Sequence, residues 1–532
     1  MKKLIPFIIF ISIPYFSLHL AAQVNIDYSS ADLQNTSPNG KYYNYIAGED
    51  DNHYLMLRRN KDYEPVLALF SKDNLSFEKS LIIPVTYMDL NPLYPPFKYP
   101  YSVRTCQHGM LMPYRDFSKG NGLANINGLL YQKSGEFKSF GSIGSMPFKN
   151  YKNGLYETYY SSDSNKVILL FVNHLQEKEK NYGKINVQVF NSDYAELCNL
   201  PIDLSVFATQ VRFVDADDEF IYIVTGGVTH GVDYGASYMV FGNSNDQFLI
   251  KISMKDGAIQ SQRLTNMKGL EPQQLILRNN EIIILGTFMK SIAGSNGIFI
   301  RKFNRSDLSP TMDKFSYFDQ AFIEELLSEE ELKEERSYFT KNPSEFAPAI
   351  PNLDISKVYF DDLNSMYIVM EAKYTTREGF SSDNMYYVYH RNHVVVGKWD
   401  ADGNLVWNDF IRKRSESTAN NEYASTIGAS FVMKNKKFHF LYYDTEENIM
   451  ANDKEKNKSI GDGHSNLVLM YKSIDFEGNS ETKVVHYKKD LQKNRCDLIL
   501  SQFYVNENKE LIVGVSDDGI WVRRIARITF PN

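Results

Sequence analysis

Cysteine is nearly absent. Cys106, Cys198 and Cys496 are the only three in 532 residues, far apart, which leaves room for one disulfide at most and excludes a disulfide framework. The fold must therefore hold by burial, with these thiols as small buried strand residues. An excess of positive charge is also missing: 58 Lys and Arg stand against 65 Asp and Glu, and no basic stripe runs along any segment, so nucleic acid is not an expected partner. Long apolar runs are lacking beyond the first two dozen residues, which excludes a membrane-spanning helix in the rest of the chain. Nucleophile elbows, zinc-protease helices and phosphate loops are absent too. Thr225 to Gly235 is glycine-rich, but it has no phosphate-loop lysine and opens no helix.

What is present begins with a leader. Met1-Lys2-Lys3 is positive, Leu4 to Leu20 is almost wholly apolar, and Ala21-Ala22 precede Gln23. This order is that of a cleaved export signal over residues 1–22. Pro6 and Pro14 argue against a stable anchoring helix, and no cysteine near the cleavage point invites a lipid. The expected location is periplasmic or extracellular.

Residues 23–532 read as one domain built from a repeat, with a period of roughly 50–95 residues. Each unit is two strands joined by a tight polar turn, a long polar connection, then two more strands joined tightly. Gln210 to Val224, Gln274 to Gly286, Lys357 to Met370, Ser430 to Tyr442 and Leu500 to Gly514 are first pairs; Phe248 to Ile259, Val394 to Trp407 and Leu467 to Asn479 are second pairs. Asn and Asp fill the turns because they tolerate left-handed backbone. Ile282-Ile-Ile-Leu285 and Phe220-Ile-Tyr-Ile-Val224 are apolar on both faces, which an outer-membrane barrel strand is not. Both faces must be buried, as in sheets stacked face to face.

Four-stranded units of this kind resemble the blades of the β-propeller superfamily over residues 23–532. Six whole units lie between about residue 100 and residue 490, and Tyr42 to Pro84 supplies another. The end of the chain has only three strands, so Val24 to Tyr28 is expected to add the fourth and close the ring. The expectation is an all-β, eight-bladed propeller, with seven blades the alternative. Tyr317 to Phe339 departs from the pattern: Phe322, Ile323, Leu326 and Leu327 have helical spacing, Ser328 to Glu331 has that of a capping box, and seven glutamates make the segment acidic. It reads as a short helical insertion covering a blade edge, or as an arm for a basic partner.

If the units are blades, their long connections share one face, where repeat proteins collect binding residues. These connections are Arg115 to Asn127, Asn173 to Lys184, Gly226 to Asp246, Lys290 to Gly297, Ala372 to His393 and Asp444 to Asn466. The candidate ligand-binding residues are Arg115, Asp116, Asn173, His174, His230, Lys290, Glu371, Lys373 and Asp444, interleaved with aromatics such as Tyr114, Tyr374 and Tyr443. Mixed charge and rings suit sugars, peptides or other polar ligands with apolar faces. His390 and His393 have metal-site spacing, but no cysteine or carboxylate cluster accompanies them and a strand would turn them apart, so no metal site is expected. Asp400-Ala-Asp402-Gly403-Asn404 has the look of a calcium-loop start without its later carboxylate; a hairpin turn accounts for it.

No cofactor follows from these motifs. The functional expectation is a non-enzymatic propeller binding a ligand or an exported protein on its long-connection face. One alternative is a glycan- or polymer-active enzyme whose acid and base come from different blades, for example Asp116 with Glu371 or Asp444. Another is a structural subunit of an exported assembly.

Overall fold

The structure, a computed structural model, describes residues 24–29, 45–59, 64–84, 103–118, 123–147, 155–172, 184–204, 207, 210–226, 247–264, 270–289, 294–337, 348–378, 386–417, 427–450, 466–487, 497–516 and 522–531. These form eight antiparallel sheets. In chain order, blade 1 spans 45–82, blade 2 104–147, blade 3 155–203, blade 4 210–264, blade 5 270–317, blade 6 353–417 and blade 7 429–487. Blade 8 takes its first three strands from 497–529 and its fourth from Asn25–Tyr28, which pairs with Val522–Thr529 in the register Asn25↔Thr529 to Tyr28↔Ala526. The closure by Val24 to Tyr28 and the count of eight are as the sequence implies.

The ring is read from its cores. Eight apolar clusters exist, and each joins two consecutive blades. Ile221 and Ile223 face blade 3, whereas Tyr222 and Val224, the alternate residues of the same strand, face blade 5. Period-two alternation with both faces apolar thus places one strand in two cores, each fully buried aliphatic contributing about 1.5–3 kcal/mol. The eighth cluster joins blade 8 (Ile499, Ile512, Ile525) to blade 1 (Tyr54, Met56, Phe70) and completes the circle. Polar ties repeat at the seams: Tyr131 Oη donates to Asp50 (2.8 Å), Trp399 Nε1 to Ser316 Oγ (2.9 Å), Trp407 Nε1 to the Phe476 carbonyl (3.0 Å) and Asn506 Nδ2 to Tyr54 Oη (3.0 Å). The first strand of each blade is innermost, since first strands of neighbouring blades touch one another.

Blade 2 departs from the rule. Its second strand is broken into Gly109–Leu111 and Tyr114–Ser118, both paired with Leu123–Gln132. Pro113 stands in the break and has no N–H for the ladder. Arg115 and Asp116, expected in a loop, lie on the second piece opposite Ile126 and Asn125. This is a correction: the strand resumes beyond the proline, and most of the expected Arg115 to Asn127 loop is hairpin.

The turns follow sequence chemistry. Asn435 and Lys436 (φ 51° and 58°) make the two-residue turn of blade 7. In blade 6, Asp400 Oδ1 accepts from the Asn404 amide (2.8 Å), Gly403 takes φ 76°, and Asp402 lies between them. Cys106 and Cys198 are buried free thiols on strands; Cys496 lies outside the described residues, as does the expected leader over residues 1–22.

The acidic insertion forms two helices between blades 5 and 6, α1 (Gln320–Leu326) and α2 (Glu329–Ser337). Asp319 caps α1, while Ile323, Leu326 and Leu327 enter the core between the two blades. At α2 the Glu331 amide donates to Ser328 Oγ (3.2 Å) and the Ser328 amide to Glu331 Oε2 (3.0 Å), a reciprocal capping box. Glu331 also meets His393 of blade 6 (3.1 Å). Burial alone would raise the Glu331 carboxyl, but its contact with the His393 ring and the Ser328 donors outweigh it and hold it at about 2, against an ordinary 4.5. A depressed carboxyl stabilises the fold fully above its unfolded value, and that contribution is lost as pH falls from about 4.5 towards about 2. The loss amounts to at most about 3 kcal/mol. Melting curves across this interval should show Glu331→Gln with a shallower acid decline than the parent; parallel declines would refute the assignment.

Candidate functional site

Because every blade runs inner strand first, all connections after second strands emerge on one face, together with the crossings between blades. The tight turns occupy the other face. On the long-connection face blade 6 stands out. Its second and third strands, Met366–Glu378 and Tyr386–Trp399, run on past the sheet as a paired arm, Lys373↔Arg391 to Glu378↔Tyr386. The expected Ala372 to His393 loop is thus mostly hairpin, a second correction. Tyr386-Tyr-Val-Tyr389 has strong strand propensity, and Glu416–Ser417 adds a third strand against Tyr389 and His390.

At the arm's base lies a buried ionic cluster. Glu371 accepts charge from Lys413 (3.2 Å), Arg391 (3.2 Å) and Lys373 (3.9 Å). Burial would raise the Glu371 carboxyl, but these three cations overcome it and hold it below the usual carboxylate range. Lys413, 1% exposed, is pulled down to about 8 by burial, with Glu371 opposing. The Lys413 ammonium also donates to the Arg391 carbonyl, and Lys373 Nζ to Ser356 Oγ (3.1 Å) on the inner strand. A carboxylate kept ionised in this way is in the wrong state to protonate a leaving group, which weighs against Glu371 as a glycosidase acid.

Further along the arm the His390 ring stacks on Tyr374 at 4.3 Å between centroids and 11° between planes, and its Nε2 meets Thr376 Oγ1 at 2.9 Å. His393 instead faces Glu331 of α2. The two histidines therefore do not converge, in keeping with their strand placement. Arg412 donates to the Glu325 and Leu326 carbonyls, and Arg414 pairs with Glu330 at 3.2 Å. The arm's root is in this way braced by the helical insertion.

Of the expected site residues, Glu371 and Lys373 share this cluster. Asp444 belongs to blade 7: it ends the strand Lys437–Thr445 and accepts from Asn448 Nδ2 (2.8 Å), anchoring the short helix α3 (Glu446–Met450). Asn173, His174, His230 and Lys290 lie outside the described residues. Arg391 and Lys413, which complete the cluster, were not singled out from the sequence; a lysine directly after the apolar end of an outer strand, Phe410-Ile-Arg-Lys413, was the available signal. Among the described residues no group of three or more metal-ligating side chains comes together, and no helix is long and apolar enough to cross a membrane. On the tight-turn face, a polar cleft of about 340 Å³ sits at the closing seam, lined by Glu49, Tyr54, Lys72, Asn506 and Arg527 among others.

No protein-family model matches the chain, and none of the curated proteins does. Among solved structures it is similar to the WD40 domain of SCAP from fission yeast (8% identity, 95% of this chain and 98% of that chain covered, TM-score 0.35). It is also similar to the β-propeller domain of the Trilobed protease from Pyrococcus furiosus (9%, 80% and 95%, TM-score 0.32) and to a protein of unknown function from Bacteroides caccae (9%, 70% and 94%, TM-score 0.28). At these scores nothing functional passes from them to this chain. Its own sheets, seams and strand order suffice to identify it: the chain is an eight-bladed β-propeller.

Proposed function

We propose that this is an exported, non-enzymatic binding protein that engages a polar ligand or another exported protein on its long-connection face. The observation that carries the reading is the blade 6 arm. It is a raised, three-stranded platform on that face, fixed at its root by a buried ionic cluster and by two helices. It presents Lys373, Tyr374 and Thr376, a mixture of charge, ring and hydroxyl suited to glycans or peptides. A rigid arm loses little entropy when it is covered. Export rests on the leader in residues 1–22.

The test joins a glycan and peptide array with a hydrolysis screen on the protein from Gln23 onward. The expected result is binding without turnover, weakened about tenfold or more by Tyr374→Ala, with the melting curve retained. Turnover of a glycan that disappears in Asp116→Asn or Asp444→Asn would favour the enzyme instead. A stable stoichiometric complex with other exported proteins, indifferent to Tyr374, would favour the structural subunit.

A further inference from the structure

The cleft at the closing seam opens on the face opposite the blade 6 arm, and the arm makes no use of it. Blade 1 supplies Glu49, Tyr54 and the turn residues Lys72 and Asp73; blade 8 supplies the turn residues Asn506, Glu507 and Asn508, and Arg527 from its third strand. Its volume of about 340 Å³ is at the lower end of the about 300–1,000 Å³ usual for small-molecule sites.

Both walls are fixed by hydrogen bonds of their own. Asn506 Nδ2 donates to Tyr54 Oη (3.0 Å) and to Glu510 Oε2 (2.7 Å), and its Oδ1 accepts from the Glu510 amide (2.9 Å), which holds the blade 8 turn. The Lys72 amide donates to the Asn52 carbonyl (2.8 Å), and the Lys72 carbonyl accepts from Arg527 Nη1 (2.9 Å), which holds the blade 1 turn against blade 8. Glu49, with its side chain 8% exposed, is the most buried of the lining charges: its Oε2 meets Lys72 Nζ (3.0 Å) and its Oε1 accepts from Tyr504 Oη (3.2 Å). A cleft built in this way loses little freedom when it is filled.

The lining sets the chemistry of the ligand. Lys72 and Arg527 are positive, whereas Glu49, Asp73 and Glu507 are negative. A simple anion drawn to the first two meets the carboxylates, and a simple cation meets the ammonium and the guanidinium. An apolar molecule takes water from these charges and returns nothing. A small molecule that carries both signs satisfies both sets. Arg527 gives one N–H to the Lys72 carbonyl and another to Asp27 (3.3 Å), and a guanidinium has five, in a fork that suits a carboxylate. Asp73 and Glu507 are exposed on the turns of the two blades and suit an ammonium.

We propose that this cleft is a binding site for a small zwitterion, an α-amino acid or a short peptide, which clamps the seam by touching both blades. The site is separate from the blade 6 platform and stands whether or not that platform binds anything. Calorimetric titration of the full folded protein with glycine and, separately, triglycine tests it, with methylammonium chloride, sodium acetate and glucose as controls at matched ionic strength. A zwitterion should bind at one site per chain, about tenfold or more tighter than any control. Tighter binding of glycine assigns a free amino acid, and tighter binding of triglycine a peptide. Arg527→Gln should weaken binding about tenfold or more, the loss expected for a charge-assisted hydrogen bond. Arg527 also ties the seam, so a double variant of the exposed rim, Asp73→Asn with Glu507→Gln, provides a second reading. Its melting point should stay that of the parent while its affinity falls about fivefold. Lys483→Gln, on the outer strand of blade 7, should leave binding unchanged. No binding of either zwitterion, a control that binds as tightly, or equal binding by the parent and both cleft variants would overturn the proposal. Binding lost in Tyr374→Ala but kept in the rim variant would belong to the platform and would overturn it too.

Discussion

A chain lacking residues 23–30 should unfold at markedly lower urea concentration than one that begins at Gln23. The strand Asn25–Tyr28 is the outer strand of blade 8. Val24, Ile26 and Tyr28 pack against the core between blades 7 and 8, and the Ser29 amide donates to the Ile525 carbonyl (2.9 Å). Three half-buried apolar side chains contribute on the order of 3 kcal/mol. The ion pair of Asp27 with Arg527 is exposed enough to add little. Deletion also bares the edge of Val522–Thr529, so the shortened protein should self-associate at concentrations where the parent does not. A synthetic peptide of residues 23–30 should raise the midpoint of the shortened chain in a concentration-dependent way, as mass action requires. An unchanged midpoint on deletion would show that the ring does not depend on this strand.

The second large effect is expected at Glu371. Glu371→Leu removes the carboxylate that, among the described residues, pairs with Lys413, Arg391 and Lys373. Breaking a buried pair from one side typically costs about 3–5 kcal/mol, because the remaining charge has no compensation. Here the cost has a ceiling, since Lys413 already releases its proton at about 8 and without Glu371 would do so more readily. The double variant Glu371→Leu with Lys413→Met should recover a good part of the loss. Denaturant midpoints of the two single variants and the double variant check this. Additive losses would mean that Glu371 and Lys413 are energetically independent despite their proximity.

The general plan was legible because it is written in alternation. Strands such as Phe220–Gly226 and Glu281–Phe288 are apolar on both faces, and only stacked sheets bury both. The missing fourth strand of the last unit pointed to Val24–Tyr28 by subtraction. The capping box at Ser328 to Glu331 was equally readable, because its two hydrogen bonds are local. The site was less so. Lys373 to Glu378 and Tyr386 to His390 read as a loop since they alternate polar and aromatic residues with no apolar face to bury. They are held as strands by each other and by Glu416–Ser417, a contact set by tertiary structure. Arg391 and Lys413 are brought to Glu371 from other strands of blade 6, a meeting that no sequence spacing announces.

The pairing of Asn25 with Thr529 also governs the order of events in synthesis. The strand Asn25–Tyr28 finds its place only beside a strand made about five hundred residues later. Until Val522–Thr529 has been made, Asn25–Tyr28 has no native neighbour, and both strands stay adhesive. Contacts of such sequence separation form late and slowly. The closing seam is therefore where a holding chaperone would do most good, and where a prematurely terminated chain would first be recognised as faulty.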